Sequence, residues 1–182
     1  MSTKSVSWPR LKKFLLKLKP QDQSELMRKL YDLNSPNREL MLQACGLSQG
    51  EGLHEECTEK IRKAFDRKLN LLASRAAIDE YMKTTRDPVG TAKLLLVHVE
   101  AGIQYARFKG QIPNIDKTLS NSLVAAAREA CRLIRSQDAR AIQQVLEIIE
   151  STRSIIDELD GPLLATLDQL SEDLETLLQQ KD

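Results

Sequence analysis

A chain of 182 residues, 41% hydrophobic and 29% charged, has the balance of a soluble globular protein, and its formal net charge of +1 gives no global drive toward nucleic acid or membranes. Three sparse cysteines, Cys45, Cys57 and Cys131, argue against a disulfide framework and for a reducing cytoplasm. The longest apolar run, Leu94 to Val97, is too short to span a membrane, and no apolar h-region precedes "KSVSWPRLKK", which argues against a signal peptide.

Few aromatics, glycines and prolines leave Leu, Ile, Val and Ala to build a core, in a composition that favours helix. Ser7 followed by Trp8-Pro9 predicts a first helix start, with Leu11, Phe14, Leu15 and Leu18 at helical spacing and the lysines facing solvent. Lys19-Pro20 ends it and opens a second helix carrying Leu26, Met27, Leu30, Tyr31 and Leu33. In "NSPNREL" Ser35 is expected to cap and Pro36 to open a third helix, which ends at Gly46. Gly46 to Gly52 reads as a flexible loop.

The next helix is expected from Leu53 to Leu69, with Cys57, Ile61, Ala64 and Phe65 on one face, and another over Leu71 to Lys83. Asp87 caps and Pro88 opens a helix that ends at Gly110 and contains "LLLVHVEAGIQYARFKG". After a polar loop, Leu119, Leu123, Ala126, Ala127, Ala130 and Ile134 mark a further inward face. Ser136 or Asp138 caps the helix that follows. The last two helices carry a coiled-coil-like seam. Ile142, Val145, Ile149, Thr152, Ile156 and Leu159 alternate spacings of three and four, and so do Leu163, Leu167, Leu170, Leu174 and Leu177 after "DGP". No stretch sustains period-two alternation. The expected fold is therefore all-α: a multi-helix bundle or irregular α-solenoid over residues 1–135, with an antiparallel αα-hairpin over 136–182.

Three patterns carry a resemblance. The first is the Lys-rich opening helix followed by Glu25-Leu26, Leu30 and Tyr31; the second is "EKIRKAFDRKL" ahead of "AIDEYMK"; the third is "LLLVHVEAGIQYARFKG" before a polar loop. Over about Trp8 to Ile134 the chain resembles a bacterial all-helical family of unknown function. The resemblance implies an all-α fold and no activity that can be carried over.

Candidate chemistry is sparse. At ~100° per residue, His98 and Glu100 fall on opposite flanks of their helix, whereas His98, Tyr105 and Lys109 share a narrow strip between two apolar sides. His98 with Tyr105 is thus a candidate polar site, set against both finding hydrogen-bond partners at the core edge. His54 and Cys57, with Cys45 upstream, have metal-ligand chemistry, but the spacing lacks a close Cys pair, and no metal or cofactor is expected. Gly-Glu-Gly at Gly50 lacks the Lys-Ser/Thr of a phosphate loop, and only two histidines are present.

The charges are segregated along the chain. Lys4, Arg10, Lys12, Lys13, Lys17 and Lys19 open it without an acid, while the tail is acidic. Lys12, Lys13 and Lys17 are candidate contacts for an anion or nucleic acid. The expected role is non-catalytic: association with a protein partner or a second copy through Ile149, Ile156, Leu163, Leu167, Leu170, Leu174 and Leu177. The alternatives are nucleic-acid binding through the basic first helix, and an enzyme or metal protein using His98 with Tyr105 or His54 with Cys57.

Overall fold

The computed structural model describes residues 7–45, 51–112, 114–156 and 161–181. These form helices and no strand: α1 (Trp8–Leu15), α2 (Pro20–Leu33), α3 (Ser35–Ala44), α4 (Glu51–Phe65), α5 (Leu71–Thr85), α6 (Pro88–Phe108), α7 (Lys117–Ile134), α8 (Ala139–Ser154) and α9 (Pro162–Gln179). The all-α class follows the composition. The loop expected from Gly46 falls largely outside the described residues, as does Leu159 of the seam.

The chain divides into two compact units, Met1–Ser48 and Gln49–Asp182. The boundary expected near residue 135 falls inside the second unit. The reason is packing: α8 lies against α6, α7 and α9, and α9 lies against α7, so the C-terminal pair shares one core with the helices before it.

In the first unit, α2 packs on α3. The Gln23 side-chain amide donates to the carbonyls of Leu15 at 3.0 Å and Leu18 at 3.1 Å, tying the start of α2 to the end of α1 and the turn after it. The cap of α3 is Asn34, not Ser35: its Oδ1 accepts the Asn37 N–H at 2.8 Å. Asn34 is extended (φ −165°, ψ 163°), as a cap must be, while Ser35 is already helical.

In the second unit α6 is central. Leu94, Leu95, Leu96, Val99, Ile103 and Ala106 are buried, and the helix touches α4, α5, α7 and α8. Asp87 caps it through the Val89 N–H at 2.9 Å. Its far end closes in a Schellman motif at Gly110 (φ +64°), with Gly110 N–H to Arg107 and Gln111 N–H to Ala106. Helix α4 stops at Phe65, short of the expected Leu69, because the Asn70 N–H turns back to the Ala64 carbonyl at 2.9 Å and the Asn70 side chain caps α5. Asp116 and Asp138 cap α7 and α8.

Candidate functional site

The candidate polar site on α6 comes apart. His98 is fully buried, with Ser74 Oγ of α5 2.7 Å from Nδ1 and Ser122 Oγ of α7 3.1 Å from Nε2. Burial, then the Arg75 charge, pushes its pKa down to about 4, so the ring is neutral and joins three helices. Tyr105 faces elsewhere. It lines an open cleft of about 410 Å³ with Arg62, Lys63, Phe65, Gln104 and Phe108, which His98 does not reach. Phe65, arriving from α4, stands edge-on to both rings, with centroids 5.1 Å from His98 and 6.4 Å from Tyr105. The shared strip is real as helical geometry, but a side chain from another helix divides it.

His54 and Cys57 also part. Cys57 is buried, and desolvation raises its thiol to about 11, which leaves it a poor nucleophile and a poor metal ligand. His54 is half-buried, edge-on to Tyr81 at 5.4 Å, in a recess of about 370 Å³ with Glu51, Glu55, Asp87, Gly90 and Lys93. Burial holds His54 below its ordinary pKa, and its Nε2 has no hydrogen-bond partner. The Tyr81 hydroxyl donates to Asp87 Oδ2 at 2.9 Å, directly over the bare backbone of Gly90, where a Cβ would lie 2.2 Å from that hydroxyl. This pair was missed. Its one signal in "DPVG" is a glycine inside a helix start, a mark of close approach. Among the described residues no group of three His, Cys, Asp or Glu is placed to hold a metal ion.

The seam proposed for association is consumed within the chain. Ile149, Ile156, Leu163, Leu167, Leu170 and Leu174 are buried, and Leu177 is half-buried against the same core. At about 1.5–3 kcal/mol for each buried aliphatic side chain, this face stabilises the second unit and leaves no surplus edge of its own.

Unpartnered apolar surface lies instead in the first unit. Among the described residues, no apolar side chain before Leu53 is buried. Trp8, Leu11 and Phe14 of α1, Met27, Leu30 and Leu33 of α2, and Leu40 of α3 are all exposed; Trp8 is 65% and Leu33 67% accessible. At ~100° per residue, Trp8, Leu11, Phe14 and Leu15 fall within about 120° of the α1 circumference. Lys13 takes the opposite side, Arg10 borders Phe14, and Lys12 borders Trp8. On α2, Leu26, Met27, Leu30 and Leu33 form a second stripe, bordered by the ion pair Lys29–Glu25 at 2.7 Å, with Arg28–Asp32 at 3.8 Å on the far side of the helix. Among the described residues, Lys12, Lys13 and Lys17 have no carboxylate within ion-pair distance. No family model, no curated protein and no solved structure matches this chain.

Proposed function

We propose that this chain acts by association with a protein, not by catalysis, and that the contact is made by the N-terminal unit and not by the C-terminal hairpin. The observation that supports this is the absence of any buried apolar side chain among the described residues of that unit, beside amphipathic helices whose apolar sides face solvent. Ordering a residue costs about 1–2 kcal/mol of backbone entropy, and a segment this short without a core cannot recover it internally. A second surface laid over Met27, Leu30 and Leu33 supplies what is missing, in the manner of a helix seated on an apolar groove. A second copy is the simplest such surface: the charges of α2 are already paired along the helix, at one edge of the stripe and behind it, so a symmetric contact opposes no like charges by necessity.

Light scattering across a wide concentration range tests this. The intact chain should exceed monomer mass at high concentration, and Leu30→Glu with Leu33→Glu should return it to monomer with its helicity retained. A chain that stays monomeric throughout, and whose α2 variant behaves identically in a pull-down, would sink the reading.

A further inference from the structure

The first helix presents a different face from the second. Its apolar stripe contains the chain's one tryptophan, Trp8, together with Phe14, Leu11 and Leu15, and everything charged nearby is cationic. No Asp or Glu occurs before Asp22, while Arg10, Lys12, Lys13, Lys17 and Lys19 all fall within or just beyond α1. All five are exposed. On α2, by contrast, Glu25 and Asp32 neutralise Lys29 and Arg28 in place.

We infer that α1 docks on an anionic lipid surface, lying in its plane with Trp8, Leu11, Phe14 and Leu15 among the acyl chains and Arg10, Lys12, Lys13 and Lys17 at the headgroups. Within α1 the aromatic and leucine side chains are segregated from the basic ones, as an interfacial helix requires, and Leu16, just past its end, lies on the basic side. Trp in particular sits well at the boundary between headgroups and hydrocarbon. Nucleic acid answers the lysines but offers nothing to bury a four-residue apolar stripe. A protein groove would have to be apolar and acidic along the same two turns; an anionic bilayer is both by construction. The helix is short, so its apolar contact alone is weak. Binding must therefore lean on charge, each cation near such a surface strengthening it about five-fold. This inference does not rest on the protein contact proposed for α2.

The test is co-sedimentation of the full chain with vesicles of phosphatidylglycerol mixed into phosphatidylcholine, beside vesicles of phosphatidylcholine alone, at low and high salt. Trp8 emission is read in parallel, and because Trp8 is the single tryptophan, a blue shift reports burial of α1 itself. The expected result is binding to the anionic vesicles alone, weakened by salt and accompanied by a blue shift. Lys12→Glu with Lys13→Glu and Lys17→Glu should lower it at least ten-fold, and so should Leu11→Glu with Phe14→Glu. Neither set touches a buried residue, and circular dichroism checks that both remain folded. Leu30→Glu with Leu33→Glu should leave vesicle binding intact, which separates this idea from the association proposed above. No binding to anionic vesicles at low salt overturns the inference. So does equal binding to phosphatidylcholine, full binding by the Leu11/Phe14 variant, or tighter binding to a duplex oligonucleotide than to vesicles.

Discussion

His98 is the residue on which the second unit's polar chemistry turns. Its two ring nitrogens meet two hydroxyls, each able to give or take a proton, so either tautomer is satisfied. The imidazolium is not, because burial and the nearby Arg75 both oppose it. The folded-state pKa of about 4 lies below the ordinary 6.5, so the unfolded chain binds the proton first as pH falls. Stability from this group is complete above pH 6.5 and is lost on the way down to about pH 4, by on the order of 3 kcal/mol. Denaturant titrations at several pH values should show that slope. His98→Leu should remove the slope while lowering stability near pH 7 by about 1–3 kcal/mol, since the Ser74 hydroxyl is then buried without a partner.

Helix contacts place a similar demand on Gly102. A Cβ built there would lie 2.4 Å from a Leu123 methyl, so α6 and α7 approach only because that position is bare. Gly102→Ala should cost about 1–3 kcal/mol through overpacking, measured as a lower unfolding midpoint, and Leu123→Ala in the same chain should recover part of it. At this scale much was legible beforehand. Asp87 as a cap, Pro9, Pro20, Pro88 and Pro162 in first turns, and Gly110 as a stop are local signals, and each helix they mark is present. What was not legible came from elsewhere in the chain. Phe65 divides His98 from Tyr105, and Asn70 ends α4 early by a bond back to Ala64. The spacing of Leu163 to Leu177 declares an apolar face but cannot say whose surface covers it. The same ambiguity ran the other way on α1 and α2, where core-like periodicity belongs to side chains that stay exposed.

For the whole molecule, the division after Ser48 changes what truncation should do. A chain ending at Ser136 would lack Ile142, Val145, Ile149, Leu167 and Leu174, which share a core with α6 and α7. At about 1.5–3 kcal/mol apiece, that loss is as large as the whole margin of about 5–15 kcal/mol by which domains of this kind are stable, so the fragment should show no cooperative thermal transition. Residues 49–182 alone should keep one, since every buried apolar side chain described lies at or beyond Leu53.

The three thiols are unequal in a way that can be used at the bench. Cys131 is buried and raised to about 12, Cys57 is buried and raised to about 11, and Cys45 is exposed. A maleimide added to the native protein near neutral pH should therefore attach a single dye, on the N-terminal unit, without mutagenesis.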